Sequence, residues 1–246
     1  MRASIEAFIA LASQWNPGFS ERIRGATTQE ILELTHLVGH PLSEAHEAFL
    51  RHMGHKDGGL ALAMEGTTDI SVVIDYYRAC SSDDEPFPPD CIVIGTGRLS
   101  GDVCLESIRG REERVVFTEG EEIVGLYAES LIGLLYRHAF SAFRMGAMPF
   151  SAFYAASFEG VGRKQVLDTA GRMSLSLGFQ KEWFSDGVVF CGEQKNVLMT
   201  ITQYEGEGVG AVVAARSEAE VEQVGNALKS GLGLDFKKWL SREPRS

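Results

Sequence analysis

Several things are missing from this sequence, and each absence narrows what the chain can be. No apolar run approaches the roughly 20 residues that a membrane-spanning helix needs. The N-terminal stretch MRASIEAFIALASQW holds a short apolar patch, but Glu6 interrupts it. It therefore reads as an amphipathic helix rather than a signal peptide, and a cytoplasmic location is expected. No C-x-x-C pair occurs among Cys80, Cys91, Cys104 and Cys191, so neither a zinc ribbon nor a redox motif is supported. Widely spaced cysteines in a chain of 246 residues read as buried thiols, not a disulfide framework. There is no H-E-x-x-H, no G-x-S-x-G, no P-loop and no cysteine–histidine signature.

Positive charge is also short. The chain carries 23 Lys+Arg against 34 Asp+Glu, a formal charge of −11. Residues 1–148 hold 12 basic and 22 acidic residues, so the first half is strongly acidic. That argues against nucleic-acid binding, which needs a basic face. It suits a basic protein partner. Apolar content of 44% and charged content of 23% are ordinary for a globular chain with a sizeable core.

What is present is organised around Phe87–Ile108, FPPDCIVIGTGRLSGDVCLESI. Cys91–Ile94 is short, β-branched and bounded by proline and glycine, the signature of a strand. Val103–Ile108 predicts a second. Gly95, Gly97 and Gly101 lie between, with Asp102 next. The spacing G-x-G-x-x-x-G leads into a strand rather than a helix, so it predicts a shaped hairpin and not a dinucleotide fingerprint.

Upstream, Ser4–Gln14 places Ile5, Phe8, Ile9 and Ala12 on one helical face. Thr27 or Thr28 caps a second helix with Ile31, Leu34, Leu37 and Val38 inward. Ser43 caps a third, ended by the stretch Gly54–Gly59. Leu60–Met64 reads as a short strand or a turn, and Ser71–Ala79 as a strand or a short helix. Downstream, Arg114–Thr118 and Ile123–Tyr127 are strands around a turn, and Ser130–Phe143 is a helix. Gly146 and Pro149 mark a domain boundary, giving 1–148 and 149–246. The second part reads as helix, four strands and helix: Val161–Leu177, Phe179–Phe184, Gly187–Cys191, Val197–Tyr204, Val209–Ala215, then a helix capped by Ser217. This is a small αββββα layer domain, so the whole is α+β. The segment after Leu234 reads as a basic tail docked by Trp239.

Five of the six histidines fall in one window: His36, His40, His46, His52 and His55. Gly39 and Pro41 break the helix that would align His36 with His40, so solvated helix histidines are expected and no metal site. Asp83-Asp84-Glu85 and Glu121-Glu122 lie in predicted loops, where a charge run is usually a solvated face. No residue set forms a catalytic constellation, and no cofactor is expected.

The first half resembles the SUKH superfamily, the Smi/Knr-type domain named after a fungal cell-wall-synthesis regulator. The resemblance spans about residues 1–145. It rests on Ala48-Phe49-Leu50 followed by Gly58-Gly59, on Pro89-Asp90-Cys91-Ile92-Val93-Ile94-Gly95, and on Gly101-Asp102-Val103-Cys104-Leu105. Val115-Val116-Phe117 and the closing helix with Leu131–Tyr136 complete it. It implies an antiparallel sheet with flanking helices, and protein binding rather than catalysis. Many bacterial members look like immunity proteins that neutralise a polymorphic toxin, often a nuclease. The expectation is a non-enzymatic module for a basic toxin domain, with no nucleic-acid or membrane partner. Its binding residues are the acidic positions Asp83, Asp84, Glu85, Glu121 and Glu122. A regulatory scaffold of the fungal type, and a small-ligand protein or enzyme using an inter-domain cleft, are the alternatives.

Overall fold

The computed structural model describes residues 4–63, 65–80, 88, 90–97, 101–107, 113–157, 163–203 and 208–242. The chain divides into two compact units, 1–138 and 139–246.

The first unit opens with α1 (Ile5–Trp15), capped by the Ser4 hydroxyl, which accepts from the Ala7 amide at 3.2 Å. Its buried residues Ile5, Phe8 and Ala12 form one stripe. A single turn, α2 (Phe19–Arg22), leads into β1 (Ile23–Arg24). Next comes α3 (Thr28–Val38), with a full capping box between Thr27 and Glu30. Ser43 caps α4 (Glu44–Met53), and β2 (Lys56–Asp57) returns to pair antiparallel with β1. Phe8 packs edge-on against Phe19 and Tyr136, with ring centroids 5.8 and 5.2 Å apart.

Ser71–Ala79, ambiguous in the sequence, belongs to α5 (Ile70–Cys80). Its buried residues are Ile70, Val73, Ile74 and Tyr77, spaced as one helical face. Burial of that stripe overrides the β preference of its branched and aromatic residues. Four strands follow as a meander: β3 (Cys91–Gly95), β4 (Asp102–Glu106), β5 (Arg114–Glu119) and β6 (Glu122–Ala128). The β3–β4 pair is the antiparallel hairpin that the glycine spacing predicted. Helix α6 (Leu131–Ala139) closes the meander.

The second unit begins earlier in the chain than residue 149. A π-helical turn, Phe140–Met145, packs on the sheet of the second unit through two of its central strands, and so belongs with it. The sheet contains six strands, not the four expected. In chain order the elements are β7 (Phe150–Ser157), α7 (Arg163–Ser176), β8 (Gln180–Lys181), β9 (Val189–Gln194), β10 (Val197–Thr202), β11 (Gly208–Ala215), α8 (Glu218–Leu232) and β12 (Asp235–Arg242). All neighbours pair antiparallel in the order β12-β7-β11-β10-β9-β8. The two extra strands are β7, which starts just after the boundary that Gly146 and Pro149 predict, and β12, in the segment that the sequence predicts as a tail. Phe179–Phe184 shortens to the two-residue β8. Helices α7 and α8 cover a core that includes Tyr154, Phe190, Met199, Ile201 and Val213. The predicted capping box of α8, Ser217 with Glu220, is formed.

Candidate functional site

Between β2 and α5 the chain takes an irregular path that few sequences can follow. Gly58, Gly59, Ala61 and Glu65 all have positive φ, at 75°, 88°, 54° and 52°. Left-handed backbone at alanine and glutamate is strained, and it persists only where the surroundings hold it. Here they do. Asp57 accepts from the Gly59 amide at 2.9 Å, and the Arg22 guanidinium donates to the Gly58 carbonyl at 3.2 Å. Thr67 and Thr96 exchange backbone bonds of 3.0 and 2.9 Å. At Gly66 an added Cβ would lie 1.8 Å from the Thr96 carbonyl oxygen, so that close approach admits only glycine.

This loop walls a cleft of about 490 Å³. Arg22, His55, Lys56, Asp57, Thr68 and Asp69 are its polar lining, and Leu62 and Ala63 part of its apolar one. The volume is that of a small-molecule site.

His55 sits at the edge of the cleft with a carboxylate on each ring nitrogen. Nδ1 lies 2.9 Å from Asp69 Oδ1 and Nε2 3.1 Å from Glu30 Oε2. Carboxylates only accept, so the ring donates to both only as the imidazolium. Glu30 meanwhile accepts from the Thr27 amide at 2.8 Å, so one carboxylate caps α3 and anchors the histidine. That Thr27 amide bond is the main reason the Glu30 carboxyl is held below its usual range, with the Thr27 hydroxyl and His55 adding to it against a burial penalty. At Asp69 burial pushes the carboxyl up, but the Ser71 hydroxyl, His55 and the Ser71 amide together bring it below the ordinary value. The cluster ties the start of α3, the end of α4 and the start of α5 together.

Two other histidines, the half-buried His138 and the buried His46, are held as neutral rings. His138 Nδ1 donates to the Leu60 carbonyl at 2.9 Å, which leaves Nε2 to accept from the Tyr127 hydroxyl at 2.8 Å. Burial, and then the neighbouring Arg137 charge, lower its pKa to about 4. His46 on α4 is 0% exposed, and neither ring nitrogen has a hydrogen-bond partner. Burial alone lowers it to about 4. The expectation of solvated histidines therefore fits the exposed His36 and His40 but is overturned at His46, where the helix buries the side chain. His52 lies 3.5 Å from Glu6. Among the described residues no three His, Cys, Asp or Glu side chains converge as a metal cage; Glu30 and Asp69 occupy opposite nitrogens of His55.

All four cysteines are thiols. Burial pushes Cys91 up to about 11 and Cys104 up to about 12, away from thiolate chemistry at neutral pH. Among the described residues no helix is long and apolar enough to cross a membrane.

Of the acidic positions singled out in the sequence, Asp83, Asp84 and Glu85 lie outside the described residues. Glu121 and Glu122 are exposed at the β5–β6 turn, beside exposed Glu119 and the 40% exposed Ile123. The charge divides along the units. Residues 1–138 hold 11 Lys+Arg and 22 Asp+Glu, a charge of −11; residues 139–246 hold 12 of each and are neutral. The cleft itself escaped the sequence reading. Its one local signal is the glycines at 54, 58, 59 and 66, of which the sequence pattern uses 54–59 as a helix stop and Gly58-Gly59 in the SUKH likeness.

No protein-family model matches the chain, and no curated protein matches it.

Proposed function

We propose that this chain is a non-catalytic protein-binding module of the immunity type, which neutralises a basic toxin domain by covering it with an acidic surface. The observation that carries this reading is the segregation of charge: the first unit bears all of the −11 and the second is neutral. A concentrated single-sign field speeds association with an oppositely charged partner and disfavours wrong ones. The β5–β6 turn supplies a contact of the right kind. Glu121 and Glu122 are exposed there, and Ile123, next to Glu122, adds apolar area. Asp83, Asp84 and Glu85 are further acidic positions of the same unit. The likeness of residues 1–145 to SUKH domains points the same way.

The test is capture from host lysate at low and high salt, with the intact chain and a Glu121→Lys/Glu122→Lys variant as baits. The expected result is one basic protein retained at low salt, released at high salt, and associating on the order of tenfold more slowly with the variant. A partner that ignores both salt and charge reversal, or no partner at all, overturns the reading.

A further inference from the structure

The left-handed loop leaves backbone donors without acceptors along one cleft. Among the described residues, the amides of Leu62, Ala63 and Thr68 make no hydrogen bond, and neither does the Thr68 hydroxyl. These residues are 0%, 5% and 7% exposed, and all three line the cleft. Unpaired N–H groups at buried residues are rare in folded proteins, because each lost partner is a desolvation penalty. Leu62 is closed off, but Ala63 and Thr68 keep some accessible surface, and their amides call for an acceptor inside the cavity. Ala61, immediately before Leu62, is left-handed, and so is Glu65 two residues beyond Ala63.

The charged lining is balanced, Arg22 and Lys56 against Asp57 and Asp69, so what matters is which groups are already engaged. Each carboxylate of the cleft has one oxygen engaged: Asp57 Oδ1 accepts from the Gly59 amide, and Asp69 Oδ1 from His55 and Ser71. Arg22 is engaged by the Gly58 carbonyl and the Asn16 side chain. Lys56, exposed on β2, makes no ion pair among the described residues. The cleft therefore offers an uncommitted ammonium and several uncommitted N–H and O–H donors within a volume of metabolite size.

We infer that this cleft binds a small ligand through an anionic acceptor group, a carboxylate or a phosphate, seated on the amides of Ala63 and Thr68 and paired with Lys56. The site is separate from the acidic β5–β6 turn and does not depend on the protein-partner reading.

The experiment is an amide nitrogen–proton NMR titration of the full chain with inorganic phosphate and, separately, with succinate, each against a sodium chloride blank of equal ionic strength. The expected result is saturable movement of the Ala63 and Thr68 amide signals with at least one anion. The anion that acts assigns the ligand class. Lys56→Met, an exposed substitution that leaves the fold intact, is expected to weaken that binding roughly tenfold, the size of one lost charge-assisted hydrogen bond. Shifts no larger than the chloride blank mean that water satisfies these amides and overturn the inference. So do shifts that persist at unchanged affinity in Lys56→Met.

Discussion

The Tyr76 hydroxyl donates to Asp102 Oδ2 across 2.5 Å, joining α5 to the first residue of β4. Burial, then this bond, push the tyrosine's pKa far above its ordinary value. Asp102 follows Gly101, whose φ is 73° and whose added Cβ would lie 2.1 Å from the Thr118 carbonyl oxygen. Gly101→Val is therefore expected to destabilise the first unit by about 2 kcal/mol or more, from left-handed strain plus a backbone collision. Tyr76→Phe removes only the bond and is expected to cost about 1 kcal/mol. Urea melts of both variants check the order; an unchanged midpoint for Gly101→Val would contradict the geometry.

Acid is expected to unfold this protein through two rings. In the unfolded chain His46 and His138 titrate near 6.5, whereas in the fold each stays neutral to about 4. Between those values the unfolded state takes up protons that the native state refuses. Their contribution is thus intact above about pH 6.5 and falls as pH drops toward 4, by roughly 1.4 kcal/mol per unit for each ring. Glu30 and Asp69, held below their ordinary values, lose their contribution only at still lower pH. His46 has no partner to lose, so His46→Leu should be neutral or stabilising at pH 7 and should flatten the slope between pH 6.5 and 4. Denaturation midpoints at pH 7 and pH 5 measure it.

Glu30 serves two partners, so its removal should exceed a cap's worth. A lost N-cap interaction costs about 1 kcal/mol. Glu30→Ala also strips one carboxylate from the largely buried His55, and about 2 kcal/mol in total is expected. A double-mutant cycle with His55→Ala should return a coupling of at least about 0.5 kcal/mol, by the usual size for contacting residues. Strict additivity would show that the contact carries no energy.

In the second unit Arg144, on the π-helical turn, grips Glu193 of β9 with two bonds of 2.6 and 2.7 Å. The bidentate fork is specific to a guanidinium. Arg144→Lys keeps the charge but breaks the fork, and a loss of about 1 kcal/mol is expected; Arg144→Ala, which also strands Glu193 beside Glu182, should lose more. Thermal unfolding of the two variants ranks them, and equal stability of the Arg144→Lys variant and the parent chain would mean that the fork contributes nothing.

Local pattern determined much of this protein. The capping residues Ser4, Thr27, Ser43 and Ser217 and the stripes of apolar residues behind them specify helices by bonds and spacings within a few residues, so α1, α3, α4 and α8 are legible from sequence. The same holds for β3 to β6, whose branched runs alternate with glycine turns. Only tertiary structure decided the rest. Strands β7 and β12 exist because each finds a partner far along the chain, Phe236 opposite Tyr154 for example, and no local pattern encodes such a pairing. The burial of His46, the bridge from Glu30 through His55 to Asp69, and the uncommitted amides beside Lys56 likewise depend on segments that meet only after folding. Hydrogen bonding and desolvation act across space, whereas the periodicity that reveals a helix or a strand acts along the chain.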